Sequence, residues 1–324
     1  MNIKEYLWGR KVGFPILSFP AVQKLGITVE AMCKDAFLQA DVIEYVARHT
    51  PTPAAVSPMD LSLEAEAFGA SVRFSPMEVP AVVGQLVCDQ EEAEALEIPT
   101  LQAGRIPVAL EGVRLAAERI QDKPILAGII GPFSLAGRLM DVTEILYTCY
   151  DEPEAVHTVM KKATAFLISY AKALQEAGAV GVVMAEPLTG ILSPDLAEEF
   201  SVPYVKELIS AVQTDSFGVI YHNCGNSVPA MAELLFSQGA AAYHFGNAVS
   251  MAEMLEKAPP DALCMGNIDP VAYFVKGTPK EMKEAVAGLL DTCGDYPNFL
   301  PSSGCDIPAH GSWENIHAFF EALS

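Results

Sequence analysis

A chain of 324 residues has room for one large domain or two small ones, and its 51% hydrophobic and 19% charged residues suit a large core rather than a disordered segment. With 41 acidic and 20 basic residues the formal net charge is -21, a surface that repels nucleic acid and anionic membranes, so neither is expected as a partner. The seven cysteines lack a disulfide-like rhythm, the N-terminal residues lack a signal-peptide core, and the longest apolar run, 124–137, is broken by Pro and Gly. A soluble, cytoplasmic protein is expected.

After a short N-terminal helix, residues 14–19 (Phe-Pro-Ile-Leu-Ser-Phe) read as a first strand, and Thr28 caps a long amphipathic helix to Arg48. Residues 54–57 form a second strand that ends at Met59-Asp60, before a helix over 62–69. Residues 72–87 alternate apolar and polar side chains among prolines and read as a hairpin or irregular excursion. Helices follow over 89–97 and 110–121, then the buried strand 125–130. There Gly131-Pro132-Phe133-Ser134 turns into another helix. Helical sequence covers 142–178, with Pro153 near a helix start, and strand 180–184 ends at Glu186-Pro187.

Ser193-Pro194 opens a helix to Val212, and the strand Gly218-Val219-Ile220-Tyr221-His222-Asn223-Cys224-Gly225 follows. A helix covers 228–238, strand 240–243 ends at His244, and strand 262–265 ends at Gly266-Asn267-Ile268-Asp269. Thr278-Pro279-Lys280-Glu281 is a capping box that opens a helix to Leu290. The strand-like run 299–303 leads into Gly304-Cys305-Asp306, and a helix over 313–323 closes the chain. Eight short apolar strands alternating with helices predict a parallel sheet buried on both faces. The leading fold is an α/β (β/α)8 TIM barrel, one domain over 1–324 with an N-terminal helical extension. An open doubly wound sheet is the alternative, without a glycine-rich phosphate fingerprint to support it.

In such a barrel, chemistry sits at the C-terminal ends of the strands, which here carry Asp60, Glu186, His222, Cys224, His244, Asn267, Asp269 and Cys305. Side chains at i and i+2 of a strand leave on one side, so His222 and Cys224 converge, and Cys305 reaches the same rim from a later strand. One imidazole and two thiolates suit zinc, and three ligands leave a position open for chemistry. A buried His-x-Cys with no metal role is the alternative that spacing alone leaves standing.

Residues 61–70 (Leu-Ser-Leu-Glu-Ala-Glu-Ala-Phe-Gly-Ala), 131–136 (Gly-Pro-Phe-Ser-Leu-Ala) and 266–270 (Gly-Asn-Ile-Asp-Pro) resemble the uroporphyrinogen decarboxylase superfamily. Decarboxylases of that superfamily carry an early Arg-Gln-Ala-Gly-Arg segment for the substrate's carboxylates, whereas residues 14–20 here hold no arginine. His222, Cys224 and Cys305 instead match the zinc ligands of the corrinoid methyltransferase branch, typified by methylcobamide:coenzyme M methyltransferases. The resemblance implies zinc as cofactor, a methylcorrinoid supplied as substrate by a partner corrinoid protein, and a small thiol such as coenzyme M as acceptor. A tetrapyrrole decarboxylase and a non-catalytic zinc- or corrinoid-binding protein are the competing functions.

Glu186, as a fourth ligand or hydrogen-bonding group, and Asp60 are catalytic candidates; a solvated rim carboxylate and a helix cap are their plainer readings. His244, Asn267 and Asp269 are cofactor-binding candidates, against a structural histidine and a self-bonded turn. Asp306 stands as a support for Cys305; Arg138 is a candidate contact for an anionic acceptor, with a solvated surface arginine as the leading reading. Cys33, Cys88, Cys149, Cys264 and Cys293 read as structural.

Overall fold

The computed structural model describes residues 1–10 and 12–324. The strands are β1 (Ala55–Val56), β2 (Ser71–Arg73), β3 (Ala81–Val83), β4 (Ile125–Ile130), β5 (Gly181–Ala185), β6 (Gly218–Asn223), β7 (Ala242–Phe245), β8 (Leu263–Ile268) and β9 (Phe299–Ser303). β2 and β3 form the antiparallel hairpin expected over 72–87. The other seven make one parallel sheet, with order β1-β4-β5-β6-β7-β8-β9. Chain order and sheet order agree because each strand is followed by a helical return, the short right-handed crossover that parallel pairing requires.

Alternation along each strand divides its side chains between two dry faces. Leu126, Val183, Ile220, Ala242, Leu263 and Leu300 pack together on the inner face of the curled sheet, with Phe14 and Ile16. Their neighbours Ile125, Val182, Val219, Tyr221, Tyr243 and Cys264 pack outward, against helix residues such as Phe166, Tyr170 and Leu208. Burial on both faces explains why the strands read as continuous apolar runs rather than as alternating ones. By the same parity His222 lies on the side of Ile220, His244 on that of Ala242, and Ser302 on that of Leu300. Register then sets His222 beside His244.

Residues 14–19 correct the expectation of a first strand. The Phe14 N–H donates to the Pro301 carbonyl (2.9 Å), but the Ile16 N–H goes to Ser303 Oγ (3.0 Å) and the Ser302 hydroxyl donates to the Phe14 carbonyl (2.6 Å). Pro15 and Pro301 have no N–H, so a regular ladder cannot form here and serine side chains take its place. The sheet thus has seven hydrogen-bonded strands where eight were expected.

The helix expected over 28–48 is two, Val29–Lys34 and Ala36–His49, because Asp35 caps the second through the N–H groups of Phe37 and Leu38. The stretch 142–178 divides likewise into Glu144–Asp151 and Pro153–Glu176, with Pro153 opening the second. The Thr278–Glu281 capping box is formed, with Thr278 Oγ1 accepting from Glu281 N–H at 3.3 Å and Glu281 Oε2 from Thr278 N–H at 2.8 Å. Helix Ala21–Leu25 and the wide turn of helix Pro270–Val275 were not expected; each is too short to set up a periodic signal.

Candidate metal centre

β6 delivers His222 at its penultimate position, and Cys224 follows one residue beyond the strand's end. Cys224 is held there by its neighbours. Asn223 Oδ1 accepts from the Gly225 N–H (2.9 Å), while Asn223 Nδ2 donates to the Glu186 carbonyl (2.8 Å) and to Tyr221 Oη (3.0 Å). Gly246 supplies the space: a Cβ at that position would stand 2.5 Å from the Cys224 Cβ, so only glycine lets the chain after β7 pass. Cys305 arrives two residues past β9, after Gly304, whose own missing Cβ makes room for the Asn247 backbone.

The donor atoms of His222, Cys224 and Cys305 all lie within 4.8 Å of one another. Cys305 Sγ is 3.5 Å from His222 Nε2. His222 is buried, and both sulfurs belong to half-buried residues, so the cluster has one dry side and one side toward solvent. The two thiols divide their protons unequally. Hydrogen bonding from Cys305, with help from His222, pulls Cys224 down to about 4, while that same bond and burial push Cys305 well above the usual thiol range. One imidazole and two thiols converging this closely suit a borderline-soft divalent ion; the donor set fits zinc.

Behind the donors, His222 Nδ1 lies 2.8 Å from His244 Nδ1, and His244 Nε2 lies 2.7 Å from Ser302 Oγ. Burial, and then the neighbouring His222, hold His244 well below the usual histidine range, so it is neutral. A groove of about 590 Å³, lined by Pro229, Glu233, Phe236, Lys257 and Pro259 among others, contains none of these residues. The chemistry is marked by converging donors, not by concavity.

A family model described as uroporphyrinogen decarboxylase (URO-D) matches residues 7–324. The chain belongs to the uroporphyrinogen decarboxylase family. Within the family it is similar to the methylcobamide:CoM methyltransferase MtbA of Methanosarcina acetivorans, 27% identical over 82% of this chain and 77% of that one. It is also similar to the uroporphyrinogen decarboxylase of Vibrio campbellii, 24% identical over 97% of this chain and 90% of that one. A solved methyltransferase from Methanosarcina mazei superposes with a TM-score of 0.88, at 23% identity, over 99% of this chain and 97% of its own. Family membership thus fixes the fold.

The remaining candidates from this family-like rim take separate places. The Glu186 carboxylate is fully buried and accepts from the N–H groups of Phe133 (3.0 Å) and Ser134 (2.7 Å) and from the Ser134 hydroxyl, at the start of helix Pro132–Met140. It is not among the converging donors. Gly131 is required beside it, since a Cβ there would fall 2.3 Å from Glu186 Oε2. Asp60 forms a buried ion pair with Arg105 and accepts from the N–H (3.0 Å) and hydroxyl (2.6 Å) of Ser62. Arg105 also donates to Glu66 (2.6 Å) and lies over the Phe74 ring.

Asp269 caps the turn at Pro270 by accepting from Val271 and Ala272, both at 2.8 Å, and takes a third bond from Asn247 (3.0 Å). Asn267 Nδ2 donates to the carbonyls of Gly246 (3.0 Å) and Val249 (2.8 Å), pinning the loop that passes Cys224. Asp306 has a buried Oδ1 with no partner among the described residues. Arg138 is half-buried and makes no ion pair among the described residues. Sequence reasoning missed Asn223, Ser302 and Gly246; the Asn-x-Gly spacing at 223–225 is a turn signature that marks the first.

Proposed function

We propose that this chain is a zinc-dependent methyltransferase that moves a methyl group from a methylated corrinoid, carried by a partner protein, to a small thiol. The observation that supports the reading is the convergence of one imidazole and two thiols, half open to solvent, at the ends of β6 and β9. Zinc bound there supplies a positive charge that lowers the pKa of an acceptor thiol. His222 would contribute a ring nitrogen, and Cys224 and Cys305 their sulfurs. The open side of the cluster is where acceptor and methyl donor meet.

In the reaction the acceptor's proton goes to solvent, a sulfur–methyl bond forms, and the carbon–cobalt bond breaks with its electron pair left on cobalt. The relatives named methylcobamide:CoM methyltransferase MtbA support a methylated corrinoid as the donor. The tetrapyrrole decarboxylase reading lacks cations at residues 14–20 to meet several carboxylates.

The reading extends to architecture and location. Residues 14–19 stand beside β9 in the place of an eighth strand, which favours a (β/α)8 barrel as one domain over 1–324, with the helix before residue 14 as its extension. Seven free cysteines favour the cytoplasm, and among the described residues no helix is long and apolar enough to cross a membrane.

The deciding experiment incubates zinc-loaded protein with methylcobalamin and a panel of thiols, coenzyme M included. Methylcobalamin consumption with stoichiometric thioether formation is expected. The reading fails if no thiol is methylated while chelator-treated protein decarboxylates uroporphyrinogen.

A further inference from the structure

The inner face of β6, β7 and β9 carries a buried row of polar groups, His222, His244 and Ser302, whose proton positions can be read from what each must bond. The row starts at the Phe14 carbonyl, which only accepts. Ser302 Oγ is 2.6 Å from it, so the single hydroxyl proton of Ser302 is committed there. Toward His244 Nε2, at 2.7 Å, Ser302 can then only accept, and His244 carries its proton on Nε2. His244 is fully buried and forms no ion pair with a carboxylate among the described residues, so its Nδ1 is a bare lone pair.

His222 Nδ1 faces that lone pair at 2.8 Å and the His244 backbone carbonyl at 3.3 Å. Both are acceptors. His222 therefore carries a proton on Nδ1, and Nε2, on the side of Cys305 Sγ 3.5 Å away, is the nitrogen left to bind an ion. Free neutral histidine prefers the opposite tautomer, with the proton on Nε2, and in that form the nitrogen nearest the sulfurs cannot bind a metal.

We propose that Ser302 and His244 are positioning residues that hold His222 in its Nδ1-protonated tautomer and so prepare the Nε2 lone pair for the ion. The relay does the work usually done by a carboxylate or carbonyl behind a metal-bound histidine. Its anchor is a backbone carbonyl, with two uncharged side chains between anchor and ligand. This inference rests on His222 being a ligand, and its test leaves methyl transfer out, so a failure of the proposed activity would not be mistaken for a failure of the relay.

The test uses metal-free full-length protein with ¹⁵N-labelled histidine. Long-range ¹H–¹⁵N correlation of the six histidine rings, assigned by single substitutions, reads each tautomer directly. His222 is expected protonated on Nδ1 and His244 on Nε2. In Ser302→Ala, and in His244→Leu for His222, that pattern is expected to give way to a mixture; Ser302→Thr, which keeps the hydroxyl, is expected to restore it.

Zinc affinity by chelator competition is expected to fall about 10- to 100-fold in Ser302→Ala and His244→Leu and to recover in Ser302→Thr. Wild-type His222 protonated on Nε2 overturns the proposal, as does unchanged zinc affinity in both disruptive variants. Should the variants not fold, the wild-type tautomer pattern alone decides between the relay and its absence.

Discussion

Asp60 and Glu186 both end strands, and both were candidates for chemistry, yet each carboxylate is already engaged. Asp60 commits one oxygen to Arg105 and the other to Ser62, in a pocket that leaves Asp60 and Arg105 less than one-tenth exposed. Removing one member of a buried pair strands the other, so Asp60→Ala is expected to cost about 3–5 kcal/mol of stability, measured by urea unfolding. A variant as stable as wild type but slow in methyl transfer would return Asp60 to a part in the chemistry. The convergence of the three candidate donors was legible because His-x-Cys has the period of a strand, and strand ends share a rim. The fate of the carboxylates was not. Whether such a group meets water or the next helix's N–H groups depends on how strand and helix meet, which no local pattern encodes.

Helix Leu63–Ala67 is joined to the end of β4 by Glu64, whose Oε1 accepts from the Ile130 N–H at 3.0 Å. Oε2 is buried without a partner, and burial is the main reason the group is pushed up to about 8. Asp60, Arg105 and Tyr170 are the ionisable groups around it. A carboxyl raised in the fold binds its proton more tightly there than in the unfolded chain. Its stabilising contribution is therefore complete below about 4.5 and is lost as pH rises to about 8.

Glu186, raised to about 7 by burial, acts in the same direction. Stability of metal-free protein is thus expected to fall across pH 5–8, by up to about 1.4 kcal/mol per pH unit for each such group, and Glu64→Gln is expected to flatten the upper part of the fall. Urea midpoints at several pH values check this; parallel curves for both proteins would place the proton elsewhere. Helix caps such as Thr278 were readable because a cap is a local event. The break at Asp35 was not, since the apolar pattern runs through it and only the side-chain bonds to Phe37 and Leu38 reveal it.

At the scale of the molecule, the alternation of apolar strands with helices foretold a parallel sheet because burial on both faces leaves an unmistakable composition in each strand. The number of strands was not foretold, since the first segment is apolar enough to be one and fails only for want of N–H groups. Neither the inner nor the outer core includes His222, Cys224 or Cys305, so the candidate donors stand outside the apolar packing that holds the sheet. Cys305→Ala is accordingly expected to lose zinc, assayed by metal analysis after dialysis, with an unchanged circular dichroism spectrum. Unfolding of metal-free wild type would show instead that the ion holds the chain together.

The closure at residues 14–19 ties two matters that are usually separate. The serine that stitches the early segment to β9 also governs the proton of the histidine beside His222, and it does so across 288 residues of sequence. Phe14 leaves the ribosome 288 residues before Ser302. Until the two meet, nothing commits the serine's proton, and the ligand histidine drifts toward the tautomer that turns the ion away. With the relay and the ligand set as proposed, full affinity for the ion waits until the early and late segments have met.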